Sequence, residues 1–384
     1  MRGRSFVAAL FAALAPQLDH ALRVPHVSLG RTAAVAVDLS TGRTLYSRNA
    51  ALPLLPASNE KLTVTYAALT ALGPEFRIET DVLQDGAGNL ILKGYGDPTL
   101  SSQQLTVLAR QVRAAGITSV TGSVLADESW FDTRRTADGW KAAFSITECP
   151  PLSALIVDRG LVGRYTSRDP ALAAAQLFRA ALVRAGVRVA RGAAHGNAPA
   201  DAQIVASVDS PKLLTIVHLM DVRSDNFYAE MLLKELGAVQ ADRGSSSAGA
   251  GVVMGLLAQA GVPLDGVRVV DGSGLSLLDR LTTGTLASLL SAMWNDLDLR
   301  MELVSSLPVA GRTGTLHDRM TRTAARGVVR AKTGTTSNAS ALSGFAGDRY
   351  VFSILQNGYP VSWTWARIAQ DRFATALAAA AAGH

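Results

Sequence analysis

A short apolar run at residues 33–38 and an alternating stretch at 43–47 flank the turn Ser40-Thr41-Gly42, a pattern that predicts a β-hairpin. Pro53 and Pro56 then interrupt the chain. From Ser58 to Leu72 the pattern predicts a helix that stops at Gly73-Pro74. The character changes between residues 76 and 208. Strands are expected at 77–83 and 90–94 around the Asp85-Gly86 turn, a helix at 101–115, a strand at 120–126 and an alanine-rich helix at 170–186. Between 210 and 237 two helices flank Ser224-Asp225-Asn226. The serines at 245–247, among glycines, read as a short flexible stretch before a helix at 252–260. Residues 267–270 lead into the turn cluster Asp271-Gly272-Ser273-Gly274, and a helix follows at 281–294. The end of the chain reads as a strand at 326–332, a hairpin of 341–346 and 350–356 around Gly347-Asp348, and a last helix at 365–382.

The two ends of the chain therefore supply one α+β body, an antiparallel sheet flanked by helices, built from residues 23–75 and 209–384. Residues 76–208 form an inserted, smaller α/β domain. With 384 residues, 48% of them apolar and 18% charged, there is enough chain to bury a sizeable core. Arg2 and Arg4 precede an apolar run from Phe6 to Leu14 that is too short to span a bilayer. This is the pattern of an export signal, with residues 1–22 as the leader; a buried first helix is the alternative. Export implies a place outside the cytoplasm, in the periplasm or cell-wall space. Cys149 is the only cysteine, so no intrachain disulfide forms, and without a nearby His or helix start it reads as a small structural residue. The net charge of +6 is spread over scattered arginines without interleaved aromatics, which argues against nucleic acid.

Lysine is scarce. Only six stand against a large arginine excess, and two of them, Lys61 and Lys332, lie in short polar motifs. An arginine cannot release its proton near neutral pH, whereas a desolvated lysine can, so these positions point to proton transfer. Ser58-Asn59-Glu60-Lys61 opens a helix with the lysine one turn beyond the serine, where it can act as base toward Ser58. Taken alone it is an ordinary helix start. Ser224-Asp225-Asn226 reads locally as a helix N-cap; functionally, Ser224 would relay a proton between the two lysines and Asn226 would offer its amide to a substrate carbonyl. In Lys332-Thr333-Gly334-Thr335, at a strand end, Lys332 and Thr333 can hold a carboxylate. Gly334 leaves room for an extended peptide beside the strand. The N–H groups of Thr335 and Ser58 can form an oxyanion hole.

Those three motifs in that order are the set used by penicillin-binding proteins and class A β-lactamases. The chain resembles the class C low-molecular-mass penicillin-binding proteins, D-alanyl-D-alanine carboxypeptidases and endopeptidases. The resemblance extends through Leu55 to Thr63, Lys93 to Leu100, Asp127 to Phe131, Ile156 to Arg159, Asp271 to Ser276, Ala310 to Leu316, and Ala331 to Thr335 with Leu342-Ser343-Gly344. It implies a β-lactamase/transpeptidase-like fold and an acyl-enzyme on Ser58. Lys61 would be the base, Ser224 would pass a proton to the leaving amine, and Lys332, Thr333 and Gly334 would bind the substrate's terminal end. Peptidoglycan stem peptides are then the substrates and β-lactams the covalent inhibitors. Asp127 matches an acidic position of the substrate side-chain pocket. Three departures stand out: the segment after Arg159 is shorter than in typical members, Leu277, Leu278 and Asp279 follow Ser276 where the family commonly has an arginine and then an asparagine, and a proline usual shortly afterwards is absent.

Two rivals remain at this level. A β-lactamase shares the motifs but needs a deacylating carboxylate, for which no segment stands out. A non-catalytic cell-wall binding relative would not keep every catalytic residue. The six histidines lack a nucleophile elbow for a Ser-His-Asp hydrolase, and no phosphate loop or metal-spaced cluster appears, so no cofactor is expected.

Overall fold

A computed structural model of the chain describes residues 14–383. These form two compact units. The first comprises the chain up to Thr70, Val217–Asn226 and everything from Val253; the second comprises Ala71–Ile216 and Phe227–Val252. The second is wider than the 76–208 insertion read from the sequence. Its sheet uses residues up to Asp209, and the helical residues after Asn226 pack within it, for example through Trp130 Nε1, which donates to Glu235 at 2.8 Å.

The first unit is built on a five-stranded antiparallel sheet in the order Val329–Thr335, Ala339–Ala346, Tyr350–Asn357, Thr32–Asp38, Thr44–Arg48. Strand alternation gives the sheet two apolar faces. Leu342, Phe352 and Ile354 pack with Phe373 of the C-terminal helix Trp363–Ala382, whereas Phe345 meets Trp294 of the helix Thr283–Asn295, ring centroids 5.5 Å apart. The helix at 14–22 also belongs to this core. Leu18 and Leu22 are fully buried, and Asp19 takes a hydrogen bond from Tyr46 and an ion pair from Arg48. Residues 14–22, which fall inside the leader expected from the sequence, thus pack against this sheet. The charged and apolar start of the expected signal lies outside the described residues.

The second unit has a mixed sheet ordered Ala193–His195, Val124–Asp127, Leu90–Gly94, Glu79–Gln84, Gln203–Asp209. The helices Ser102–Ala114 and Pro170–Arg184 cover it. Each starts where its sequence asks: Ser101 and Gln104 form a reciprocal capping box, and Asp169 caps a helix whose first residue is proline. The Ser/Gly tract at 245–251 is not a flexible stretch. It is the start of the helix Ser246–Gln259, with Ser245 Oγ accepting from Ala248 N, and a Cβ on Gly249 would lie 1.8 Å from the carbonyl oxygen of Leu233. The glycine serves close helix packing.

Candidate active site

All the motif residues except Asp127 converge in the first unit. Ser58 lies in a 3-10 turn, Ala57–Glu60, that runs into the helix Lys61–Leu72. The turn is entered through Ala57 at a φ of 46°, an unfavourable left-handed value for a residue with a side chain. Lys61 is completely buried, and its Nζ donates to Ser58 Oγ at 3.0 Å, Asn226 Oδ1 at 2.8 Å and the Ser273 carbonyl at 2.7 Å. Three acceptors thus fix the amine against the half-buried Ser58 hydroxyl. Asn226 spends its carbonyl end on Lys61, which turns its NH2 end toward other acceptors.

Ser224 is not an N-cap. It follows the helix Leu213–Arg223 in the left-handed conformation, φ 56°, with its N–H on the Asp221 carbonyl and the Asp225 N–H on that of Met220. This is the hydrogen-bond pattern of a Schellman C-terminus, and it turns the chain into the next helix, Asn226–Ala241. Ser224 Oγ accepts from Lys332 Nζ at 2.8 Å, and the same ammonium donates to the Thr333 carbonyl at 3.0 Å.

Lys332, Thr333 and Gly334 lie on the edge strand of the sheet. Ala331 sends its N–H away from the sheet to the Pro308 carbonyl, and Thr336 sends its N–H inward to Ala339. By alternation the N–H of Thr335 points to the open edge, as an oxyanion donor requires. Gly334 has a reason that the sequence did not disclose. A Cβ there would stand 2.9 Å from the Pro56 carbonyl and 3.0 Å from Ser58 N, so its absence lets the turn that carries Ser58 approach the strand. Asn59 Nδ2, which donates to the Lys332 carbonyl at 3.0 Å, ties the same two elements. Thr333 Oγ1 donates to Thr315 Oγ1 at 2.7 Å.

Burial pushes Lys332 down to about 7, helped by the nearby charge of Lys61 and opposed by Asp221. Asp221, also fully buried, is itself pushed up to about 6 by burial, against the pull of Lys332 and Lys61. It stands one helical turn before Ser224, and its Oδ2 accepts from Thr65, one turn beyond Lys61, and from Ser306. Lys332 is thus a buried amine with a lowered pKa whose direct hydrogen-bond partners are a hydroxyl and a carbonyl. Asp221, Asn59, Thr315 and the Ser273 carbonyl escaped the sequence reading. The only signal for Asp221 was that it is the one acid in a largely apolar helix, which also carries Thr215, His218 and Arg223.

Asp127 stands in the second unit. It is buried, with Oδ1 accepting from Ser129 N and Oδ2 from Ala198 N, and Lys93 Nζ is 4.0 Å away. Among the described residues one trio could approach a metal ion, Glu128, Asp169 and His195, also in the second unit. Glu128 is held bidentately by Arg135, and His195 pairs with Asp169 at 2.8 Å, so the trio is already satisfied by protein groups.

A family model for the D-Ala-D-Ala carboxypeptidase 3 (S13) family matches residues 14–168 and 162–379. A D-alanyl-D-alanine carboxypeptidase of Actinomadura sp. is 32% identical over 441 aligned positions, covering 90% of this chain and 81% of the relative. The alignment is longer than this chain, so the relative carries extra residues. A carboxypeptidase of Mycobacterium tuberculosis is 35% identical over 84% of this chain and 74% of its own. In fold, penicillin binding protein 4 of Haemophilus influenzae superposes with a TM-score of 0.81 at 21% identity, covering 95% of this chain and 97% of that one.

Proposed function

The chain belongs to the D-Ala-D-Ala carboxypeptidase 3 (S13) family, and from that premise we propose that it is a serine D-alanyl-D-alanine carboxypeptidase of peptidoglycan stem peptides. The observation that carries this is the pair of buried lysines, one on each catalytic hydroxyl: Lys61 on Ser58 and Lys332 on Ser224. In its unprotonated form Lys61 keeps two N–H donors for Asn226 Oδ1 and the Ser273 carbonyl, and its lone pair takes the Ser58 proton as Oγ attacks the carbonyl between two D-alanines. The N–H groups of Ser58 and Thr335 receive the oxyanion. Ser224 passes a proton to the leaving amine while Lys332 and Thr333 hold the terminal carboxylate, with Gly334 keeping the strand against the nucleophile turn. Water then releases the shortened peptide from Ser58. β-Lactams acylate the same serine. Peptidoglycan lies outside the cytoplasmic membrane, and we place the enzyme there. No helix of the described residues is long and apolar enough to cross a membrane. The family match in two stretches that meet soon after Arg159 supports a shortened insertion.

Digestion of defined muropeptides with mass analysis tests the reading. Loss of terminal D-alanine is expected, and breakage of cross-links would add endopeptidase action. Ser58→Ala should abolish both product formation and penicillin labelling, and persistent covalent labelling of that variant would refute the assignment. Multiple turnover of nitrocefin, in place of a stoichiometric block, would favour a β-lactamase.

A further inference from the structure

The Ser273 carbonyl that fixes Lys61 belongs to a loop held by two buried acids. Asp271, fully inaccessible, accepts from Gly274 N through Oδ1 at 2.7 Å, and from Ser276 N and Ser273 Oγ through Oδ2 at 2.8 and 3.2 Å. The loop is tight: Gly274 has a φ of 79°, and a Cβ on it would meet the Ala57 carbonyl oxygen at 1.9 Å. Asp279, equally inaccessible, accepts from Val270 N at 2.8 Å and Asp271 N at 3.3 Å, both through Oδ1.

The other oxygen of Asp279 receives no donor from the rest of the described residues, and its carboxyl stands against that of Asp271. Two ionised carboxylates can only accept, so this contact is repulsive unless one of them carries a proton. Both oxygens of Asp271 already take backbone N–H groups, whereas Asp279 Oδ2 takes none. The proton therefore belongs on Asp279 Oδ2. The surrounding charges agree. Glu60 faces the pair from the nucleophile turn, and the Arg280 guanidinium donates to the backbone carbonyls of Leu277 and Asp279.

We propose that Asp279 is a positioning residue that works as a neutral acid, donating its proton to Asp271 and so holding the loop whose Ser273 carbonyl orients Lys61. Burial first, then the charges of Asp271 and Glu60, keep the Asp279 carboxyl well above the usual carboxylate range. An asparagine at 279 could supply the same donor through its amide at every pH. The part of this proposal that concerns Lys61 rests on the catalytic reading above; the shared proton does not.

Two readouts, each followed from pH 5.5 to 9.5, test it on wild type, Asp279→Asn and Asp279→Ala: the thermal midpoint and the rate of acylation by a fluorescent penicillin. A carboxyl whose folded pKa is raised contributes stability at low pH that is lost as pH rises toward that value. The midpoint of Asp279→Asn should therefore gain on wild type as pH increases, and at pH 6, where its amide supplies the same donor, its acylation rate should stay within about threefold of wild type. Asp279→Ala, with no donor, should acylate roughly tenfold slower even at pH 6. Parallel midpoint curves for wild type and Asp279→Asn would overturn the shared proton, and an alanine variant as fast as wild type would overturn the positioning role. If wild type itself is not acylated, the catalytic reading fails, while the midpoints still decide the acid pair.

Discussion

Each unit buries a lysine almost completely, and the two are treated in opposite ways. In the second unit Lys234 is 1% exposed and pairs with the Asp132 carboxylate and the Arg134 carbonyl. Burial lowers its pKa, and Asp132 pulls it back. In the first unit Lys332 donates directly to a hydroxyl and a carbonyl, with a second lysine among its neighbours. Neighbouring cations cluster at the proposed active site, whereas Arg135, His195 and Lys234 of the second unit each meet a carboxylate. A buried charge with a direct counter-ion is structural, while one held by neutral acceptors is poised to exchange its proton.

Replacing each lysine by an apolar residue of similar length should break this comparison most severely. Lys332→Met should lose peptidase activity by roughly a hundredfold or more yet raise the thermal midpoint. Because Lys332 titrates near 7 when folded and near 10.5 when unfolded, the native state binds fewer protons between those values, and stability falls as pH drops through that window. The gain from Lys332→Met should therefore be fullest at and below pH 7, about 1–2 kcal/mol, and fade toward pH 10. Lys234→Met should do the reverse, lowering stability by about 1–3 kcal/mol while penicillin labelling at permissive temperature persists. Calorimetry and labelling on both variants check the pair; a stability loss in Lys332→Met at pH 6 would contradict it.

Next in size is Asp221→Asn. It removes the one acid that supports the charge on Lys332, so the pH at which KM for a carboxylate-bearing peptide rises should shift down from near 7 by about half a unit to one unit. The kcat should change less than KM. An unmoved KM profile would show that Asp221 does not set the lysine's charge.

The smallest effect is expected from Glu235, whose buried carboxyl is pushed up to about 8 by desolvation, with Trp130 opposing. Its stability contribution is present below the unfolded value of 4.5 and declines as pH rises to about 8. Glu235→Gln keeps an acceptor for Trp130, so its midpoint should overtake wild type above pH 8, by about 1 kcal/mol, with penicillin labelling unchanged. Midpoints that coincide at pH 9 would deny the raised pKa.

Much of the fold was legible because the decisive elements are long and periodic. The hairpin of 32–38 and 44–48, the central strands 339–346 and 350–357 and the C-terminal helix all follow from their apolar pattern. The strands Ala193–His195 and Gln203–Asp209 were missed because they lie at the two edges of their sheet, and the first is short and exposed. Edge strands bury too little to show a clear period. The Ser/Gly tract misled for a related reason, since small residues mark close helix packing as readily as a flexible link.

The sequence by itself determined the chemistry on offer: two serines, two lysines and an asparagine in three ordered motifs, within a chain that otherwise writes its positive charge as arginine. It could not assign the acids. Asp221 and Asp279 look like ordinary aspartates along the chain, and Gly334 like ordinary room for a ligand. Only the tertiary structure decided that one acid lies beside the two buried lysines, that another meets a second carboxyl, and that the glycine makes way for the turn that carries Ser58. The physical reason is that proton affinity and close contact depend on burial and on neighbours supplied by remote segments, which no local pattern encodes.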